Sequence, residues 1–394
     1  MKIAIPAPTY LPARRANTLQ VMKMAQAFLR LGHQVHVMVP GRPPEGETSR
    51  WEYLANHYGL AQAFPLEWLP ANPQFRRYDF AWRAVQRARA WEADLLYTRL
   101  PQAAAFSSWI GMPTIFEIHD MPQGRLGPLF FRSYLRGRGA RRLVLISQAL
   151  RADLAQKYGI PGDSPFTTVA PDGVDLERYA SLPSPDQARA ALVANPGSIL
   201  HRMEERLSPG CFVAGYTGHL YPGRGGELLL EIAAVLPDFT FLLAGGEPGD
   251  VARLQEAARR RGLENVILAG FVPNAELPLY QAACDALLMP YQRRVEASSG
   301  GDIARYLSPM KLFEYLACGR AILSSDLPVL REVLSADTAV LLPPEDVETW
   351  AAALLALRSN SELRSALGTR ARQEARRYSW EQRAGRILDE LPVQ

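Results

Sequence analysis

The chain has 394 residues, of which 48% are hydrophobic and 21% charged; that is enough for two buried cores and excludes both a peptide-sized module and a disordered chain. Three scattered cysteines, Cys211, Cys284 and Cys318, exclude a disulfide framework and a cysteine-rich zinc site. The net charge of +4 is uneven: residues 1–180 hold 22 basic against 14 acidic side chains and the remainder 22 against 26, so an anionic partner is expected on the N-terminal half.

The opening MKIAIPAP reads as a buried strand without the basic and apolar regions of a secretory signal, which points to the cytoplasm. No run reaches the roughly 18 apolar residues of a spanning helix. A helix is expected over residues 18–31, stopped by Gly32, and then a strand in which Val35, Val37 and Val39 alternate. Strand-like runs follow at 94–97, 114–118, 143–146 and 167–169, with helical stretches such as 76–91 between them. Short apolar strands alternating with helices imply a mostly parallel, helix-covered sheet.

The pattern breaks between 174 and 210, where Pro183, Pro185, Pro196 and Pro209 fall close together. A second series begins at Phe212, with strands expected at 212–216, 240–243, 266–269, 286–289, 321–324 and 339–342, and a helical tail over 347–391. The expected organisation is an α/β chain of two doubly wound, Rossmann-like domains. The first covers 1–178, a linker 179–209 and the second 210–375, with a helix over 376–394 returning to the first domain. An interdomain cleft is the default ligand site.

Two segments carry chemistry. In YTGHLYPGRGG, residues 216–226, glycines after a strand allow close backbone approach to a phosphate, and Arg224 adds a charged contact; glycines placed there also simply make turns. In SPMKLFEYLACG, residues 308–319, Ser308 suits an N-cap and Pro309 the first helical position, leaving the amides of Met310 and Lys311 for an anion. Glu314 suits the two hydroxyls of a ribose; equally, Lys311 and Glu314 suit an ion pair on a solvated face. His119 and Asp120 follow the strand at 114–118, at its C-terminal end. No HxxxH or D-x-D spacing occurs, so no metal site is expected.

Taken together, these blocks resemble the retaining glycosyltransferases of family 4, which have the GT-B fold. The resemblance covers most of the chain and is most specific in SPMKLFEYLACGRAILSSDLPVLREV, residues 308–333. It extends to GYTGHLYPGRGG, LLAGGEPGD, AGFVPNAELPLYQAACDALLMPY, IFEIHDMP, LISQALRADL and VAPDGVDLERY. The resemblance implies that Gly218, His219, Arg224, Ser308, Pro309, Met310, Lys311 and Glu314 bind the donor. His119 then corresponds to the histidine that meets the donor sugar, and Asn17 and Asp120 lie on the acceptor side. His219 stands where the family has an arginine, Arg224 where it has a lysine, and Tyr306 where many members have the first of two glutamates. The S-P-x-K-x-x-E pattern points to a branch of the family. The glycine-rich loop that the family carries after its first strand is missing.

The implied reaction moves a sugar from a nucleoside diphosphate sugar to a glycan or lipid-linked acceptor with retention, in cell-surface polysaccharide or glycolipid synthesis. It uses no cofactor, no metal and no nucleic acid, and His119 and Arg224 are the catalytic candidates. The stretch from Arg125 to Arg142, RLGPLFFRSYLRGRGARR, suits either a peripheral contact with an anionic membrane or an internal helix with solvated arginines. Two rivals remain: a nucleotide-sugar-binding regulatory or assembly subunit without transfer, and another two-domain enzyme such as an epimerase or a phosphorylase. Only four lysines are present, and none has the setting of a pyridoxal lysine.

Overall fold

The computed structural model describes residues 1–75, 77–161, 164–296, 301–389 and 391. They form two units, one of Met1–Asp172 with the C-terminal segment from Trp380, the other of Gly173–Ser379. In the first, the chain runs β1 (Lys2–Pro6), α1 (Ala16–Arg30), β2 (Gln34–Pro40), α2 (Trp51–Tyr58), β3 (Leu66–Leu69), α3 (Tyr78–Ala90), β4 (Leu95–Thr98), α4 (Pro101–Trp109), β5 (Thr114–Ile118), α5 (Gly127–Arg136), β6 (Ala140–Leu145), α6 (Gln148–Tyr158) and β7 (Thr167–Val169). The strands make one parallel sheet in the order β3-β2-β1-β4-β5-β6-β7, with Ile3 opposite Val35 on one side and Leu95 on the other. Helices on both faces explain why the valine alternation in β2 does not mark a solvated face: all six residues after Gln34 are buried. His36 is accommodated there by Glu67, 2.9 Å away.

The second unit contains α7 (Pro185–Val193), β8 (Phe212–Thr217), α8 (Gly226–Val235), β9 (Phe239–Ala244), α9 (Pro248–Arg260), β10 (Val266–Gly270), α10 (Leu277–Ala282), β11 (Ala286–Met289), α11 (Met310–Cys318), β12 (Ala321–Ser325), β13 (Val340–Leu342), α12 (Val347–Ser359) and α13 (Ser361–Ala375). Its parallel sheet has the order β10-β9-β8-β11-β12-β13. The last helix, α14 (Trp380–Leu388), lies in the first unit against α1.

Residues 179–209 are not a linker. Ala188 and Leu192 of α7, with Leu200 and Leu207, join the core of the second unit beside Leu287 and Phe313. The buried Arg189 ties the segment down, donating to the carbonyls of Ala283 at 2.8 Å and Cys211 at 3.0 Å and pairing with Asp285 at 2.5 Å. The prolines that suggested a linker make turns and start a helix: Pro185 follows the N-cap Ser184, whose capping box with Gln187 is complete. The boundary between units accordingly falls at 172/173 rather than at 178, and the C-terminal one at 379/380. Sequence periodicity also passed over α2, β3 and α4, which are short or uniformly apolar.

Candidate functional site

In the second sheet the strand order reverses between β8 and β11, and in such sheets ligands bind beyond the strand ends at that point. Gly218 follows β8 at φ +123°, a backbone state that side chains rarely adopt. A Cβ there would stand 3.0 Å from Lys311 Nζ and Cε, so the bare glycine is what lets Lys311 reach under the loop. Gly245, after β9, sits at φ +120°, and a Cβ on it would meet the Gly218 carbonyl oxygen at 2.4 Å.

Lys311 is 7% exposed, and its ammonium has no hydrogen-bond partner among the described residues. It lies 3.5 Å from the centre of the Tyr216 ring and 5.6 Å from that of Tyr291. Burial, and then the nearby Arg224, push its pKa well below the usual lysine range. Arg224 Nη1 donates to the Tyr291 hydroxyl at 3.4 Å, while its buried Nε has no partner among the described residues. Two cations share a nest of tyrosines with polar hydrogens to spare, an arrangement that a polyanion completes.

Pro309, rather than Ser308, is the residue that caps α11: at ψ 126° it is extended, so the helix begins one residue later, at Met310, with no side-chain cap. The Leu312 amide donates to the Pro309 carbonyl at 2.9 Å, and the first-turn amides of Met310 and Lys311 have no intrahelical acceptor by position. The macrodipole adds to the local positive potential.

Glu314 is 9% exposed, so the solvated Lys311–Glu314 pair is ruled out. Its carboxylate accepts from Asn274 Nδ2 at 3.4 Å and Gln281 Nε2 at 3.2 Å. Gln281 also donates to Thr217 Oγ1 at 3.1 Å and accepts from the Tyr179 hydroxyl at 2.8 Å, and Arg178 fixes Asn274 Oδ1 at 2.6 Å. The Tyr315 hydroxyl accepts from the Thr217 amide at 2.7 Å, locking α11 to the end of β8. His219 stacks on Tyr221 at 4.7 Å, and the same ring lies 6.0 Å from the Arg224 guanidinium carbon. Tyr216 hydrogen bonds to the His219 carbonyl.

In the first unit, β5 carries the fully buried Glu117, and His119 lies just beyond the strand. Glu117 Oε1 faces His119 Nε2 at 2.5 Å and accepts from Gln20 Nε2 at 2.8 Å and Arg383 Nη2 at 2.9 Å; Oε2 accepts from the Tyr97 hydroxyl. Burial alone raises the Glu117 carboxyl, but Arg383 and the His119 hydrogen bond outweigh it and hold the group below the usual carboxylate range. Burial, followed by Arg99, pushes His119 down to about 4, so its imidazole is neutral at pH 7. Asp172, buried nearby, is pushed up to about 6 by burial.

Ligand atoms of Glu117, His119 and Asp172 lie within 4.8 Å of one another. The Arg99 and Arg383 guanidiniums act on these same groups, so the chain itself supplies the positive charge of this cluster. A cavity of about 220 Å³ opens beside it, lined by Arg99, Glu117, His119, Asp120, Met121, Gln123 and Phe131 among others. Asp120 accepts from the Met121 amide at 2.6 Å and from Gln123. Asn17, in the first turn of α1, does not line this cavity; Gln20, one turn later, is the α1 residue that reaches Glu117. Sequence reasoning passed over Glu117, Gln20, Arg383, Gln281 and the tyrosines. The available signal was a glutamate inside the apolar run of β5.

The arginines of the Arg125–Arg142 stretch divide. Arg125, Arg132, Arg136 and Arg138 are exposed, as are Leu126 and Leu129, whereas Arg142 is buried and donates to the Ile387 carbonyl of α14 at 2.8 Å. Among the described residues, no helix is long and apolar enough to cross a membrane.

Two family models match parts of the chain, Glycosyltransferase Family 4 over residues 19–178 and Glycosyl transferases group 1 over 211–360. The phosphatidyl-myo-inositol mannosyltransferase of Mycolicibacterium smegmatis is 24% identical over 385 residues, covering 93% of this chain and 87% of that protein. The D-inositol 3-phosphate glycosyltransferase of Xylanimonas cellulosilytica is 27% identical over 322 residues, covering 78% and 67%. In fold, the chain is similar to Anabaena HepE solved with UDP and glucose, with a TM-score of 0.74 at 20% identity over 99% of each chain.

Proposed function

We propose that this chain, a glycosyltransferase with the GT-B fold, moves a sugar from a nucleoside diphosphate sugar to an acceptor hydroxyl with retention of the anomeric configuration. The observation that carries the reading is the buried Lys311 ammonium, unpartnered beneath Gly218 and beside Arg224, one turn before Glu314. In this reading Lys311, Arg224 and the α11 amides hold the diphosphate and Glu314 takes the ribose hydroxyls. We read the S-P-x-K-x-x-E block, Ser308 to Glu314, as the signature of a branch of family 4 in which this lysine and glutamate suffice.

The demanding step is charge separation. The bond between the anomeric carbon and the diphosphate oxygen breaks, the acceptor oxygen bonds to the same face of that carbon, and the acceptor proton passes to a phosphate oxygen of the leaving group. Fixed cations and amides stabilise the departing diphosphate without reorganising, and no protein nucleophile or metal takes part. His119, neutral and held by Glu117, is assigned to the donor sugar, and the cavity beside it to a substrate sugar or polyol. The UDP and glucose bound by the HepE structure and the inositol-containing substrates named for the mannosyltransferase and glycosyltransferase relatives support a nucleotide-sugar donor and a polyol acceptor on a lipid or glycan. Peripheral contact with an anionic membrane through the exposed arginines of α5 belongs to the same proposal.

Calorimetry against a panel of nucleotides and nucleotide sugars, beside a transfer assay, tests it. Glu314→Ala should weaken donor binding and Arg224→Ala should lower turnover; wild-type values for both would remove the assignment.

A further inference from the structure

Arg383 is out of place by its own helix. The buried face of α14 is Trp380, Arg383, Ala384 and Ile387, an amphipathic stripe with one charge in the middle of it, 4% exposed. Burying a guanidinium costs several kcal/mol unless its hydrogen bonds are met, and here they are. Nε donates to the Pro171 carbonyl at 2.9 Å, and Nη2 to the Ala170 carbonyl at 3.0 Å and Glu117 Oε1 at 2.9 Å, while Nη1 meets Met24 Sδ at 3.0 Å. The helix is fixed on either side of this residue by Arg30–Glu381 at 2.7 Å and by Arg142 on its last carbonyls.

We propose that Arg383, brought from the far end of the chain by α14, is a positioning residue for His119 that acts through the Glu117 carboxylate. The inference rests on the role given to His119 above. An ionised carboxylate only accepts hydrogen bonds, so a Glu117 kept charged by Arg383 requires the proton of His119 to be on Nε2. The neutral ring then carries its lone pair on Nδ1. Without the guanidinium, Glu117 would sit in a fully buried site with Gln20 and Tyr97 as its remaining donors besides the His119 ring, none of them a fixed charge. Protonation of that carboxyl would release the tautomer, because a carboxylic acid can donate to the ring as well as accept from it. The charged and titratable groups around His119 are Glu117, Asp120, Arg99, Asp172, Tyr97 and Arg383. Of these, only Arg383 both contacts Glu117 and carries a permanent positive charge.

The ring state can be read directly by nitrogen-15 NMR of histidine-labelled, full-length protein, with His119→Gln identifying the signals. The wild type is expected to show a neutral ring protonated on Nε2 at pH 7. Arg383→Gln should convert it to a mixture of tautomers and lower transfer by about tenfold or more, with the affinity for nucleoside diphosphate alone unchanged within about twofold. Arg383→Lys, which keeps the charge but not the fork, should fall between the two and serves in place of the glutamine variant if that one does not fold. A wild-type ring protonated on Nδ1, or an unchanged ring state in a folded Arg383 variant, overturns the proposal. Because the ring is read without substrate, a failure to find any sugar transfer would count against the transferase reading and not against this one.

Discussion

Lys311 Nζ faces the Tyr216 ring at 3.5 Å and meets no acceptor among the described residues, so it rests on a π face rather than on a carboxylate. A nucleoside diphosphate would supply the missing anion. Lys311→Met should therefore weaken nucleoside diphosphate binding by about tenfold or more while leaving the melting temperature unchanged or raised, since it removes an unpaired buried cation. Thermal denaturation with and without nucleotide separates the two effects. The depressed lysine pKa also has a sign: a bound anion raises it, so affinity should fall as pH climbs through the free-state pKa of this lysine.

Gly218→Ala places a methyl 3.0 Å from Lys311 Nζ at a φ of +123°. A cost of about 1–2 kcal/mol in stability is expected, with a further loss of nucleotide affinity as the lysine is displaced. Chemical denaturation and calorimetry on the same sample would show both; a variant that binds nucleotide like the wild type means that Lys311 does not depend on the bare glycine.

Glu314 is held by two amide donors, Asn274 and Gln281, which leave acceptor capacity for sugar hydroxyls. Wild-type protein should prefer a nucleoside diphosphate over its 2′-deoxy analogue by about tenfold, and Glu314→Gln should narrow that ratio. Equal preference in both proteins would take the ribose away from this residue.

His119 should stay neutral well below the usual histidine range, with its ring signals unchanged between pH 7 and pH 5. Its folded pKa lies below its unfolded value of 6.5, so the unfolded chain takes up the proton first, and this group withdraws stability as pH falls from 6.5 toward about 4. Asp172 acts oppositely: its carboxyl, raised to about 6, favours the folded state as it protonates on acidification. His119→Ala should depress transfer while nucleotide affinity is kept. A ring titrating near 6.5 would show that burial and Arg99 do not control it.

The exposed face of α5 offers Arg132 and Arg136 with Leu126 and Leu129 alongside. Flotation with anionic vesicles should show binding at low salt that weakens at moderate salt, and Arg132→Glu with Arg136→Glu should abolish it. No flotation under either condition would end the membrane contact.

Both sheets were legible because their strands are short apolar runs between helical stretches, and buried parallel strands read this way whatever their detailed order. The closeness of Gly218 and Lys311 was prefigured too, since glycines after a strand and a Pro-Met-Lys helix start are local signals. What escaped is what depends on distance along the chain. Glu117 acquires meaning only when Gln20, Tyr97 and Arg383 arrive from three other elements, and Gln281 only when Glu314 packs beside it. The region 179–209 misled because proline marks helix starts as well as linkers, and Ser308 misled because the adjoining proline kept an extended ψ.

The first unit is closed by residues that the ribosome makes only after the whole of Gly173–Ser379. A fragment ending at residue 172 would carry the whole seven-stranded sheet and yet leave Glu117 without its guanidinium, Arg142 without the carbonyls it serves and one side of α1 bare. During synthesis that half must therefore wait, incomplete, until translation has passed through Gly173–Ser379, which makes its maturation a late event despite its early position in the message.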